Sequence, residues 1–275
     1  MLIVMYRIVD LRNENWVYDA TSGSQGVYMK EVRKIDGKTY YIKLPYYDSV
    51  YGFIGTECIN EVIAGRLGKC LGLPVLYQYL DKVLVSIDGR DLITYACRSL
   101  SFKKVGYDRI NAGKLYKLNK IGNEYPIDTF RRIGLSTVVN TYLIWDYLIM
   151  GKDRHSGNIE FLSKDSKIYP SPIFDNGVSF LYSIFLNDPN AVKKIKDYDI
   201  FKNNTANNFL GSRDLEYNLR YVTAPVKVRK LYKEDRRSIM YNLSGVIPKE
   251  YLDKIWSIIC YRYLRLRQLG LIVEV

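Results

Sequence analysis

The segment Gly151–Asn158 reads GKDRHSGN and follows directly on the most apolar stretch of the chain, Thr137–Met150, which itself carries Asn140 and Asp146. Leu135, Val138, Val139, Tyr142 and Leu143 fall on one helical stripe and predict a helix over Asp128–Met150. GKDRHSGN then reads as the loop leaving that helix, with Asp153 and Asn158 on it. Two short predicted strands follow, Ile159–Leu162 and Lys167–Phe174, turning at Asp165–Ser166 and running into Ile173–Gly177, IFDNG. A hairpin joining the two loops lets Asp153, Asn158 and Asp175 converge. That ordered set suits phosphoryl transfer. One carboxylate takes up the proton of the attacking hydroxyl, while an amide oxygen and a second carboxylate hold Mg2+ on the phosphates. Gly177 lets the chain turn sharply beside the metal ligands. Taken singly, Asp153 also reads as a loop cap and Asp175 as a turn former. The specific signal is the set and its order.

Towards the N-terminus, the set is preceded by a lysine in an apolar strand, Lys43 in Thr39–Pro45, TYYIKLP. The following helix offers it a partner in Glu61, with Glu57 one turn earlier as the alternative. Before the lysine comes a turn, TSGSQG (Thr21–Gly26), whose Gly23 and Gly26 allow backbone N–H groups to approach phosphates. No G-K-[ST] follows, so this is not a Walker A loop.

The first third reads mainly as strands: the apolar N-terminus, Trp16–Tyr18, Val27–Ile35, Thr39–Leu44, Val75–Leu80, Val83–Ile87 and Leu92–Ala96. Asp36-Gly37 and Asp88-Gly89 are hairpin signals. One helix interrupts them, with Thr56 at its N-cap, Ile59, Val62, Ile63, Leu67 and Cys70 on its apolar face, and Gly72 and Pro74 to end it. After residue 96 the pattern turns mainly helical, with a polar loop at Asn203–Asn208 and a long amphipathic helix over Pro248–Leu269. The expectation is an α+β chain of two lobes. Residues 1–96 form a smaller antiparallel β-rich N-lobe with one helix, and residues 97–275 a larger, mainly helical C-lobe.

Composition narrows the field. At 275 residues, the chain is long enough to bury a core without disulfide or metal staples. The net charge of +12 favours an anionic partner, but its basic pairs are scattered and make no strong case for nucleic-acid binding. Cys58, Cys70, Cys97 and Cys260 form no C-x-x-C pair and His155 is the single histidine, which argues against a zinc site and a disulfide framework and for reduced cytosolic thiols. The opening MLIVMYRIVDLRNENW is broken by Arg7 and Asp10 and reads as a strand, not a signal peptide. No run reaches the ~18 apolar residues of a membrane span.

With these residues in place the chain resembles the HipA-type atypical kinases, a bacterial family with the bilobed fold of protein kinases and phosphoinositide kinases. The resemblance spans about Thr21 to Phe180. Ser22-Gly23-Ser24-Gln25, closed by Gly26, is similar to the family's S-G-x-Q phosphate loop, and Lys43 falls at its nucleotide lysine. Asn60-Glu61 resembles the N-E pair of the lysine-partner helix, which favours Glu61 over Glu57, and Gly72-Leu73-Pro74-Val75 resembles G-[IL]-P-V. Leu92–Cys97 falls at the strand and hinge that hold adenine, with Tyr95, Ala96 and Cys97 as hinge residues. Asp153 falls at the catalytic aspartate and Asn158 and Asp175 at the metal ligands, and Ser171–Asp175, SPIFD, is similar to S-P-x-Y-D. There are departures. Val27 replaces the family's loop lysine, with Lys30 three residues on; Arg98-Ser99 stands where D-R is expected; and the extra N-terminal subdomain of larger members has no room, leaving a minimal kinase core.

The resemblance implies an ATP- and Mg2+-dependent kinase that transfers the γ-phosphoryl group to Ser/Thr hydroxyls of proteins. Autophosphorylation of the phosphate loop at Ser22 is included, where the added charge would repel nucleotide. Family members include toxins with a DNA-binding antitoxin partner and others directed at host cells. A protein substrate, an antitoxin and a cytoplasmic or host-exported location are therefore the corresponding expectations. D-R-H-x-x-N and DNG also resemble phosphoinositide kinases, which keeps a lipid or small-molecule kinase as the rival. A catalytically inactive nucleotide-binding module would be expected to have lost a site residue, yet Lys43, Asp153, Asn158 and Asp175 are all present. His155 accompanies Asp153 in the catalytic loop. It is read as holding that loop, because phosphoryl transfer depends on positioning and charge neutralisation more than on a strong base.

Overall fold

A computed structural model describes residues 7–18, 29–182 and 204–275. The predicted phosphate loop, with Ser22, Gly23, Ser24, Gln25 and Gly26, lies outside the described residues.

Two Asp-Gly turns organise the N-terminal half. Strand β1 is Ile8–Asp10, β2 Val17–Tyr18, β3 Met29–Ile35 and β4 Lys38–Lys43. Asp36 and Gly37 join β3 to β4 with φ of 49° and 72°, the left-handed pair whose twist matches a two-residue hairpin. After a small hairpin, β5 (Tyr47–Asp48) and β6 (Gly52–Phe53), comes helix α1, Glu57–Leu71. It ends at Gly72, whose φ of 71° lets its N–H return to Gly68 and Lys69 carbonyls. Asp88 and Gly89 then join β7 (Tyr79–Ile87) to β8 (Arg90–Leu100) with the same turn geometry. The six strands form one sheet in the order β1-β7-β8-β4-β3-β2, antiparallel except for the parallel β1–β7 pair. Leu11, Met29, Ile42, Leu44, Val83 and Val85 fill a core on this sheet. Ile59, Val62, Ile63 and Leu67 carry α1 into the larger core that continues through the C-terminal half.

Several strand boundaries differ from expectation. Val75 makes only an isolated bridge to Ile173, and Tyr79–Ile87 is one strand without a break at Asp81-Lys82. Asp81 is retained there because Arg98 donates to it across the strand pair at 2.5 Å. Strand β8 also runs on to Leu100, carrying the N-terminal sheet past residue 96.

The C-terminal half is built around one apolar helix. The elements are β9 (Asp108–Asn111), α2 (Ala112–Asn119), α3 (Pro126–Arg132), α4 (Ser136–Ile149), β10 (Asp153–Arg154), β11 (Glu160–Lys164), β12 (Lys167–Pro170), β13 (Asn207–Asn208), α5 (Leu215–Asn218), β14 (Val226–Val228), α6 (Asp235–Ile239), α7 (Lys249–Gln268) and β15 (Ile272–Glu274). The single helix expected over Asp128–Met150 is two, because Gly134 takes a φ of 85° between α3 and α4. Every residue of α4 from Val139 to Ile149 is buried, so its hydrophobicity is that of a core helix. Among the described residues no helix is long and apolar enough to cross a membrane. Helix α7 packs against α4, and β9 extends the β11–β12 hairpin into a three-stranded sheet. The chain is thus α+β, with an antiparallel sheet towards the N-terminus and a mainly helical remainder.

Candidate active site

Strand register places Lys43 at the centre of the site. Lys30 lies opposite it on β3 and Cys97 opposite it on β8. Its ammonium donates to Asp175 Oδ1 at 2.6 Å and to Glu61 Oε1 at 3.2 Å. Glu57 does not compete: its Oε2 accepts the Tyr46 N–H at 3.2 Å. Burial works against the charge on Lys43, but the carboxylates of Asp175 and Glu61 outweigh it and raise its pKa. Burial likewise opposes ionisation of Asp175. Lys43, and then Lys30, overcome it and bring its pKa down to about 2. Lysine and aspartate are therefore both charged at neutral pH.

Of the loop that follows α4, His155, Gly157 and Asn158 line the same cleft as Lys43, and Asp153 does not. Asn158 is 6% exposed and donates its amide nitrogen to the Asp153 carbonyl at 2.9 Å. That bond fixes the amide orientation and leaves Oδ1 as a free acceptor. Asn158 and Asp175 line the same cleft of about 410 Å³. They could supply two hard oxygen ligands to Mg2+, which takes its remaining ligands from water and phosphate. Among the described residues no cluster of three His, Cys, Asp or Glu competes as a metal site. Asp153 Oδ1 accepts from Asn207 Nδ2 at 3.1 Å, and its Oδ2 lies 4.0 Å from His155 Nε2. His155 Nδ1 accepts the Gly157 N–H at 3.0 Å, capping the short helical turn Ser156–Asn158. The histidine thereby holds the loop with one nitrogen and faces Asp153 with the other.

Three further side chains, none of them given a role of its own in the sequence, hold the site together. Arg154, 2% exposed, donates to Asp146 on α4 at 2.9 Å, to the Asn158 carbonyl at 3.1 Å, to the Phe174 carbonyl at 2.7 Å and to Asn176 Oδ1 at 3.0 Å. One guanidinium thus ties the Asp153 loop to the Asp175 loop. Asn60, fully buried beside Glu61, donates to the carbonyls of Gly177 at 3.0 Å and Ser179 at 2.8 Å, and accepts from Tyr251 Oη at 2.8 Å. It locks α1 to the segment after Asp175. Asn207 comes from the polar loop at Asn203–Asn208, where β13 pairs in parallel with β10. Its Asn-rich composition was visible, but its partner was not.

The expected hinge residues lie inside strand β8. Ala96 is buried in the sheet core and Tyr95 packs against the larger core. Cys97 is buried opposite Lys43. Residues 95–97 pair with Lys82, Asp81 and Leu80 on β7, and Cys97 also pairs with β4, so the backbone of this stretch is engaged in the sheet, while Cys97 lines a small pocket with Lys43, Glu61 and Asp175. The cleft wall is formed further along, by Ser99, Leu100 and Phe102. Phe102 and Phe174 bring their ring centroids within 5.5 Å.

No protein-family model matches the chain, and no curated protein matches it in sequence. Among solved structures, the Helicobacter pylori proinflammatory kinase CtkA aligns over 96% of this chain and 99% of its own, with a TM-score of 0.62 at 15% identity. HipA of Shewanella oneidensis MR-1, solved with HipB and operator DNA, aligns over 89% of this chain and 64% of its own at 16% identity and a TM-score of 0.44. The Golgi casein kinase aligns over 98% and 75% at 13% identity and a TM-score of 0.41. The fold is the protein kinase-like one seen in CtkA.

Proposed function

We propose that the chain is an ATP- and Mg2+-dependent phosphotransferase of HipA type that transfers the γ-phosphoryl group to Ser/Thr hydroxyls of protein. The observation that carries this reading is the contact of Lys43 with both Glu61 and Asp175 beside a cleft that Asn158 also lines. The likeness to the fold of CtkA, itself described as a kinase, supports it.

In this reading Lys43 turns from Asp175 to the nucleotide phosphates while Glu61 keeps its ammonium in place. Asn158 and Asp175 would hold Mg2+, which neutralises phosphate charge when bound. Asp153 accepts the hydroxyl proton, with Asn207 fixing one of its oxygens and the other left towards His155. Most of the rate then comes from positioning and electrostatics, as phosphoryl transfer requires.

The test is radiolabelled ATP with Mg2+, offered in parallel to a protein extract and to phosphoinositide-containing vesicles. Label on Ser or Thr of protein is expected. Label only in lipid would replace the protein substrate with a lipid one, and no transfer to either would contradict phosphotransfer.

A further inference from the structure

One end of the cleft carries polar side chains that the phosphate chemistry does not use. Gln78 is 2% exposed and Ser99 5%, and both line the cleft. Tyr79 pairs with Arg98 between β7 and β8, so the same register sets Gln78 beside Ser99 one step further on. Neither the Gln78 carboxamide nor the Ser99 hydroxyl hydrogen-bonds to any described residue, and what remains exposed of the carboxamide meets the cleft. A carboxamide buried to this degree normally finds a partner, so a missing partner inside the cleft points to a ligand.

The surrounding structure keeps Gln78 in place. A Cβ on Gly65 of α1 would stand 2.9 Å from both Gln78 N and Leu76 O, so the helix lies directly against this segment. On its other side Leu76 N–H donates to the Ile173 carbonyl at 2.8 Å. The position also fits a nucleobase. Cys97 is opposite Lys43 on β8, and Ser99 lies two residues beyond it, about 7 Å at strand rise, towards Leu100 and Phe102. A nucleotide with its phosphates at Lys43 would bring the edge of its base to Gln78, with Phe102 and Phe174 as apolar walls.

We propose that Gln78, with Ser99 beside it, reads the 6-amino edge of adenine; this rests on the kinase reading above. A carboxamide presents an acceptor and a donor in one plane. The 6-aminopurine edge presents the complement, an N–H donor beside a ring-nitrogen acceptor, and the two form a paired contact. Purine lacking the amino group leaves Gln78 Oε1 without the donor that adenine supplies.

The experiment measures Mg2+-dependent binding of ATP and of purine riboside 5′-triphosphate by calorimetry, for the wild type, Gln78→Met and Gln78→Leu. The wild type is expected to prefer ATP about 10- to 100-fold. Each variant is expected to bind both ligands within about twofold of each other and to bind purine riboside triphosphate as the wild type does, which also reports an intact cleft. A wild type without preference, or wild-type preference retained by either variant, overturns the proposal while leaving the kinase reading standing. A wild type that binds neither triphosphate overturns both.

Discussion

Arg154 closes on Asp146 from inside the protein, with Nη2 2.9 Å from Oδ1 and neither side chain more than 3% exposed. The rest of the guanidinium holds backbone carbonyls of the two loops that carry Asn158 and Asp175. A structural ion pair and the alignment of the site are therefore one feature. Arg154→Leu would leave the Asp146 carboxylate buried and unpaired, at a loss of about 3–5 kcal/mol of stability. Replacing both partners with apolar residues should recover part of that loss without recovering activity, because the loop carbonyls stay unheld. Denaturant unfolding of the single and double variants measures the first, and phosphoryl transfer the second.

Asn207 reaches Asp153 from a segment far along the chain. Asn207→Ala should lower kcat about 10- to 100-fold, since Asp153 loses the bond that fixes its carboxylate. The KM for ATP should change little, because Asn207 does not line the cleft at Lys43. A rise in KM at unchanged kcat would count against a positioning role.

Glu61 and Glu57 stand one turn apart on α1 with different partners. Glu61→Gln weakens the hold on the Lys43 ammonium and should reduce kcat/KM for ATP about tenfold or more. Glu57→Gln keeps a carbonyl oxygen for the Tyr46 N–H and should leave kcat/KM within about threefold. Steady-state kinetics on the two variants side by side distinguishes the partners.

Acid stability offers an independent readout of the Lys43–Asp175 contact. The folded state lowers the Asp175 pKa from 3.8 to about 2. A depressed carboxylate contributes stability that is complete above its unfolded pKa and disappears as the pH falls through the folded value. The wild type should therefore lose more stability than Asp175→Asn between about pH 4 and pH 2. Equal acid slopes for the two proteins would show that the contact is not maintained in solution.

The legible parts of this fold were those set by local chemistry. Asp36-Gly37 and Asp88-Gly89 specify their hairpins because both positions need left-handed backbone, and Gly72-Leu73-Pro74 ends α1 for the same kind of reason. Lys43, Asn158 and Asp175 could be named because phosphate chemistry restricts residue type and order, Glu61 was preferred to Glu57 through the resemblance of Asn60-Glu61 to the N-E pair, and the fold brings Lys43, Glu61 and Asp175 into direct contact. What was not legible depends on register and long-range pairing. Nothing local shows that β8 stays paired through Leu100, beyond the hinge expected at Tyr95–Cys97. Arg154 could not be told from the rest of the GKDRHSGN loop because its partner Asp146 sits inside the most apolar helix. Asn207 could not be matched to Asp153 without the parallel β10–β13 pairing. Gly134 falls inside the helix expected over Asp128–Met150, and its positive φ separates two helices.

The central claim is that one lysine and the residues facing it across the cleft handle the phosphates of ATP. Its most direct measurement is transfer of labelled γ-phosphate by the wild type, Asp153→Asn and Asp175→Asn, with each protein's ATP binding followed in the same preparation. Transfer by the wild type is expected, with a drop of about 10²- to 10³-fold in both variants and ATP binding retained by Asp153→Asn. Transfer by Asp175→Asn at the wild-type rate would contradict it.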